Sequence, residues 1–317
     1  MKKVLVIGGG GTLGRYTVKE LLLLGYSVDV ICLEDYVSDR EQLRYFKARA
    51  TEEYLTGFLA ATAYDGIINF IHYETVDEYK PIHKLLIRHT DHLIFLSSYR
   101  VYADRQHPIT ETAPMLLDTE NEERFWKNET YAISKTRAER FLCGECRGQN
   151  WTIVRPVISF SDRRFDLFTH SGDYVLRCAA NGTTVELPDC AEKLTAGLDW
   201  AGNTGKLIAH LLFKENAIGE AYTVSSGQNL TWGEVAEIYK KLTGVRVAYI
   251  TTMDFARKYH PVEELSWHFW YDRLFERKVD NSKVLRETGL TVNDFRSIED
   301  GLKIELEAYN ARAQKTL

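Results

Sequence analysis

Val4-Leu5-Val6-Ile7-Gly8-Gly9-Gly10-Gly11-Thr12-Leu13-Gly14 is the stretch whose reading decides the fold. Four consecutive apolar residues are how a strand buried on both faces of a parallel sheet reads. The glycines that follow allow a turn too tight for side chains. After them Val18, Leu21, Leu22 and Leu24 are apolar in a helical pattern that stops at Gly25, and residues 27–33 are again mostly apolar. Strand, glycine turn, helix, strand is a βαβ unit, and its crossover is right-handed by default.

The alternation continues outward. Residues 45–48 read as a short third strand, 52–61 as a helix, 66–71 as a fourth strand and 79–89 as a helix. Residues 92–98 form a fifth strand ending in serines, 131–146 a helix, and 151–156 a sixth strand closed by proline. This rhythm predicts an α/β protein built on a doubly wound parallel sheet. After Pro156 the rhythm changes. Residues 159–170 are polar and irregular, 195–213 are helical in their second half, and 222–224 are a short strand. Thr231 then opens a helix as its N-cap, with Glu234 in the capping-box position. The expected division is a cofactor domain over residues 1–156 and a smaller C-terminal α/β substrate lobe over 157–317, with some elements interleaved.

The bulk properties narrow the class. The chain has 317 residues, 44% hydrophobic and 27% charged, with net charge −5. Such a balance suits a packed globular protein and gives no electrostatic footprint for nucleic acid or an anionic membrane. The 5 scattered cysteines argue against a disulfide framework and fit a reducing, cytoplasmic setting. Met1-Lys2-Lys3 leads straight into a strand, without the apolar region of a signal peptide. No apolar run approaches the roughly 20 residues of a membrane span. The run Leu21 to Leu24 reads as one turn of a buried helix. Cys143-Gly144-Glu145-Cys146 lacks a second pair and lies near a helix end, which makes it structural. His72, His83, His89 and His92 form no ligand pattern, so no metal is expected.

Gly8, Gly11 and Gly14 spell G-x-x-G-x-x-G, while Gly9, Gly11 and Gly14 spell G-x-G-x-x-G. The first glycine permits the turn, the second lets backbone approach a pyrophosphate, and the third lets helix and strand pack closely. Thr12 and Leu13 then open a helix whose unpaired N–H groups and positive dipole end suit phosphate. The expected ligand is a dinucleotide.

Tyr131-Ala132-Ile133-Ser134-Lys135 is a Y-x-x-x-K sequence on a helix that follows the strand ending in Ser97-Ser98. Together with the glycine turn it resembles the extended short-chain dehydrogenase/reductases, the NAD-dependent epimerase/dehydratase family. Phe95 to Tyr102, Ile153-Val154-Arg155-Pro156 and Asp280-Asn281-Ser282-Lys283 resemble further segments of that family, so the likeness runs over nearly the whole chain. It implies a Rossmann fold, NAD as cofactor with NADP left open, a nucleotide-sugar substrate, and a homodimer formed through the Tyr131 helix. It also implies catalytic roles for Tyr131, Lys135 and Ser98. The chemistry is coherent. Hydride transfer needs an alcohol to lose a proton or a ketone to gain one. A free phenol, with pKa about 10, is a poor base near neutrality. A lysine at i+4 shares its helix face, and its charge favours the phenolate. Lys135 is also placed to hold the nicotinamide ribose, and Ser98 to polarise the reacting oxygen.

Several positions depart from the family pattern. The second strand should close on an acid that grips the adenosine ribose; Glu34 and Asp35 are the candidates, and an acid there favours NAD. Arg15 and Arg40 are the candidates for a phosphate. Lys47-Ala48-Arg49-Ala50 replaces an expected aspartate near adenine, and Asn69-Phe70-Ile71-His72-Tyr73 replaces small residues, which puts Phe70 beside the cofactor. Tyr99 and Arg100 stand where dehydratases carry an acidic pair, which favours epimerase or reductase chemistry. Ile158 replaces an asparagine that contacts nucleotide sugars. The aromatic run from Trp267 to Tyr271 either lines a pocket or packs the lobe. The rival reading is a non-catalytic protein on the same fold that senses a nucleotide or binds RNA.

Overall fold

The computed structural model describes residues 1–261 and 268–316. The chain opens with β1 (Lys3–Ile7), α1 (Thr12–Leu23), β2 (Ser27–Cys32), β3 (Leu43–Lys47), α2 (Glu52–Ala60), β4 (Tyr64–Asn69), α3 (Val76–Ile87) and β5 (Thr90–Leu96). Next come α4 (Leu116–Thr119), α5 (Glu123–Asn128), α6 (Thr130–Gly144), β6 (Trp151–Pro156), β7 (Ile158–Phe160), α7 (Gly172–Asn181), β8 (Thr184–Pro188) and β9 (Leu198–Trp200). The chain closes with α8 (Ala201–Leu211), β10 (Ala221–Val224), α9 (Trp232–Thr243), β11 (Arg246–Ile250), α10 (Thr252–Tyr259), α11 (Ser282–Thr288) and α12 (Ile298–Thr316).

Seven strands form one parallel sheet in the order β10-β6-β5-β4-β1-β2-β3. Alternate residues of each strand point to opposite faces, so a strand covered on both sides must be apolar throughout. Val4, Val6, Val28, Val30 and Ile68 pack into one core, which Val18 and Leu21 of α1 and Leu207 and Leu211 of α8 complete. Leu5, Ile7, Ile67 and Phe95 pack into the other, with Leu55 of α2, Tyr79 of α3 and Phe141 of α6. The strand order reverses between β1 and β4. A ligand crevice opens at such a switch point, beyond the carboxyl ends of the strands.

Two strands end earlier than the sequence pattern suggests, and both ends matter. β4 stops at Asn69, where the Asn69 side chain accepts from the Ile71 amide at 3.1 Å and bends the chain away. Phe70 therefore leaves the sheet. β5 stops at Leu96, so Ser97 and Ser98 lie beyond it. The Leu21–Leu24 run is not buried as a unit: Leu21 is in the core, while Leu23 is exposed on the opposite face of α1.

Beyond Pro156, β10 and α8 serve the central sheet. The lobe itself is built around the pairs β7–β9 and β8–β11, with Phe168, Trp232, Tyr239, Phe255 and Phe269 in its core. Thr231 caps α9 in a full capping box with Glu234, as the sequence predicts. Among the described residues no helix is long and apolar enough to cross a membrane, and no group of His, Cys, Asp or Glu is arranged to hold a metal ion.

Candidate active site

Two clefts meet at the carboxyl edge of the sheet and share Gly8 and Gly11. The first, of about 410 Å³, runs from the glycine turn to Ser98 and Tyr131. The second, of about 810 Å³, runs from the turn past Glu34 and Ala48 to Tyr73. Together they form a trough whose waist is the glycine turn.

The waist is built as the sequence requires. Gly8 adopts φ +80°, which disfavours any residue with a Cβ. A Cβ on Gly14 would lie 2.5 Å from the Gly9 Cα, so only glycine lets α1 sit this close to the turn. No side chain caps α1 at Gly11, which leaves the N–H groups at Thr12 and Leu13 for a ligand. The Ser97 hydroxyl, buried on the wall of the first cleft, has no hydrogen-bond partner. A Cβ-free cradle, an uncapped helix start and an orphaned hydroxyl fit a dinucleotide.

The two acids separate. Glu34 lines the second cleft, whereas Asp35 points to solvent and pairs with Lys47. Both lie in the loop after β2, and of the two only Glu34 lines the cleft. Partial burial pushes the Glu34 carboxyl up, but a hydrogen bond from its own backbone amide and the Arg163 guanidinium outweigh it and hold it low. Arg163 comes from the lobe: it bonds Glu34 at 2.9 Å, the Gly10 carbonyl at 3.2 Å and the Tyr36 hydroxyl. Of the arginines expected to meet a phosphate, Arg15 pairs with Asp162 and Arg40 is exposed. Phe70 lines the first cleft, and Ile71 and Tyr73 the second.

Ser98 and Tyr131 come together as expected. Ser98 and Tyr131 both line the first cleft, and the Ser98 hydroxyl is near enough to lower the pKa of the phenol. Burial raises the phenol's pKa. The Ser98 hydroxyl and the charges of Arg100 and Arg164 act against that rise. Lys135 is placed differently from the expectation. Its ammonium lies 5.9 Å from the Tyr131 ring centre and donates to the Leu96 carbonyl at 2.6 Å. Burial pushes it down to about 7, with Glu139 opposing. The cations that act on the phenol are Arg100 and Arg164 instead.

Sequence reading did not anticipate this arginine wall. The Arg100 guanidinium lies 5.1 Å from the centre of the Tyr131 ring, fixed by a 2.6 Å bond to Glu129. Glu129 also caps α6 by accepting from the Ala132 amide, so one carboxylate positions both the helix that carries Tyr131 and the cation over it. Arg164, His268, Asp272 and Arg273 complete the far wall. Asp272 is wholly buried; that burial is outweighed by Arg273, Arg277 and Arg100, which keep it ionised. His72 rests against the Tyr131 ring at 4.9 Å, held neutral by burial and by Lys135, with its pKa lowered to about 4. Of the aromatic run, Trp267 lies outside the described residues, His268 faces the cleft and Phe269 packs in the lobe core. A cap residue just before Tyr131 was the one available sequence signal for Glu129. The far wall is assembled only by the fold.

Residues 4–200, more than half the chain, match the NAD dependent epimerase/dehydratase family. The chain belongs to that family. No curated protein matches this family member significantly. Solved structures resemble it over its whole length. The dTDP-glucose 4,6-dehydratase of Bacillus anthracis in complex with NAD aligns with TM-score 0.74 and 17% identity over 99% of this chain and 98% of its own. The epimerase Mth375 of Methanothermobacter thermautotrophicus gives 0.73 and 17% over 99% and 93%. The UDP-glucose 4-epimerase of Thermotoga maritima with UDP-glucose gives 0.70 and 16% over 98% and 99%. At such identities the likeness speaks for the fold of this NAD-dependent epimerase/dehydratase family member, and its site must be argued from its own residues.

Proposed function

We propose that this protein is an NAD-dependent epimerase or reductase acting on a nucleotide sugar. The observation that carries the reading is that Ser98 and Tyr131 line one cleft together with the glycine turn. A bound nicotinamide would supply the hydride acceptor and donor. Gly8, Gly11, Gly14 and the start of α1 would hold its phosphates and Glu34 its adenosine ribose, whereas Lys135, bonded to the Leu96 carbonyl, lines neither cleft. Tyr131 takes a proton from the substrate hydroxyl, or returns one to the ketone oxygen. Ser98 donates to that same oxygen, and Arg100 and Arg164 favour the phenolate.

The surroundings of Tyr131 speak against dehydration. The Tyr99 hydroxyl is spent on Asp272 at 2.6 Å, and Arg100 is a cation. Both carboxylates beside the cleft, Glu129 and Asp272, are bound to arginines. Neither is left as a free acid for water elimination. The Thermotoga enzyme's bound UDP-glucose supports a nucleotide-sugar substrate. The test is Tyr131→Phe assayed on a panel of nucleotide sugars, with NAD affinity measured by calorimetry. Turnover should fall by about 10²–10⁴-fold while NAD binding and the fold persist. Undiminished turnover would remove Tyr131 from the chemistry.

A further inference from the structure

The cationic wall of the first cleft is out of balance. Arg100, Arg164 and Arg273 line it, with Arg277 buried behind them, against three carboxylates, those of Glu129, Asp166 and Asp272. Each carboxylate is already paired to an arginine. Asp272 accepts from Tyr99 and Arg277 on one oxygen and from Arg273 on the other. Glu129 accepts from Ala132 and Arg100. His268, pushed down to about 4 by burial and by the Arg273, Arg100 and Arg164 charges, adds no negative charge and offers only a neutral ring. The Arg100 Nε is buried with no hydrogen-bond partner among the described residues. An unpartnered buried guanidinium N–H is costly, and a ligand acceptor seated at this wall would satisfy it.

We infer that this wall holds a carboxylate of the substrate, seated between Arg100 and Arg164 next to the carbon whose hydroxyl Tyr131 serves. Position decides between anions. Arg100 lies over the Tyr131 ring itself, so the group it binds lies beside the reacting carbon. A nucleotide's diphosphate is attached at the anomeric end of the sugar. Arg164 is the exposed partner, at the mouth of the cleft, with its Nε on Asp166. Arginine presents a planar fork that suits carboxylate, and a hydrogen bond to a charged group discriminates strongly against a neutral analogue. The substrate is then a sugar acid rather than a neutral sugar.

This inference rests on the reading of Tyr131 as the acid/base and is tested apart from turnover. The NAD-loaded protein is titrated with UDP-glucuronate, UDP-glucose, UDP and free glucuronate. UDP-glucuronate should bind about 10–100-fold tighter than UDP-glucose. Arg100→Met should erase that ratio, and Arg164→Met, a change at an exposed side chain, should reduce it; unchanged NAD affinity certifies the fold of each variant. Equal affinity for the acid and the neutral sugar overturns the inference. So does a loss in Arg100→Met that is as large for UDP as for UDP-glucuronate, which would assign the wall to the diphosphate. If no UDP compound binds, the nucleotide-sugar reading fails, and free glucuronate decides alone: Arg100-dependent binding upholds the carboxylate seat, and no binding removes it.

Discussion

The Lys135 ammonium donates its hydrogen bond to the Leu96 carbonyl, the last backbone oxygen of β5, at 2.6 Å. That single neutral acceptor is a poor substitute for water, and burial holds the lysine at about 7 against an ordinary 10.5. Between those values the unfolded chain binds the proton and the folded one does not. This group therefore makes the folded state gain stability as pH rises, by at most about 1.4 kcal/mol per pH unit. Lys135→Met should flatten that slope in urea denaturation of the cofactor-free protein. Parallel pH profiles for the two proteins would show that the lysine is charged in the folded state throughout.

Glu34 faces the cleft with a lowered pKa and is ionised at neutrality. A 2′-phosphate placed there meets a like charge. Glu34→Gln should raise affinity for NADP relative to NAD about tenfold, an electrostatic gain of about 1.4 kcal/mol. Asp35→Asn, altering a solvated charge paired to Lys47, should leave the ratio where it was. Calorimetric titration of both cofactors against both variants reads this directly.

Gly14→Ala sets a methyl group 2.5 Å from the Gly9 Cα and 2.7 Å from the Gly8 carbonyl oxygen. Backbone cannot step aside as a side chain does, so α1 must shift, at about 1–3 kcal/mol. Thermal denaturation should show that loss together with weakened NAD binding. Gly57→Ala is the control: a Cβ there meets nothing within 4 Å, and alanine in α2 should stabilise by about 0.5–1 kcal/mol.

Arg155 of β6 and Glu139 of α6 form a buried two-point ion pair, at 2.9 and 2.6 Å, and Arg155 also bonds the Tyr102 hydroxyl at 2.7 Å. Removing one member strands the other in a dry site. Glu139→Gln should cost about 3–5 kcal/mol, measurable in denaturant titration. A cost under 1 kcal/mol would mean that water reaches the pair.

What was legible in the sequence was local. The apolar run before Gly8, the glycine spacing and the Tyr131–Lys135 interval each sit within a few residues, and backbone sterics or helix geometry fix their meaning. The Thr231 cap is of the same kind. What was not legible comes from distant parts of the chain. Arg163 meets Glu34 across 129 positions, and Tyr99 meets Asp272 across 173. No periodicity encodes such a meeting. Lys135 shows a second limit. Spacing places it correctly on the face of Tyr131, but its rotamer is set by a carbonyl 39 residues away. Arg100 was visible only as a missing acid, because its role depends on the Glu129 cap that aims it.

The Arg163–Glu34 contact is about one-third exposed on both sides, and pairs of that kind contribute about 0–1 kcal/mol. It therefore works as a loose latch. It keeps the Glu34 carboxylate at the cleft and ties the lobe loop to the glycine turn, yet opening it costs little. The arginine it holds, Arg163, adjoins Arg164 on the wall beside Tyr131, so the two ends of the trough meet in one lobe segment.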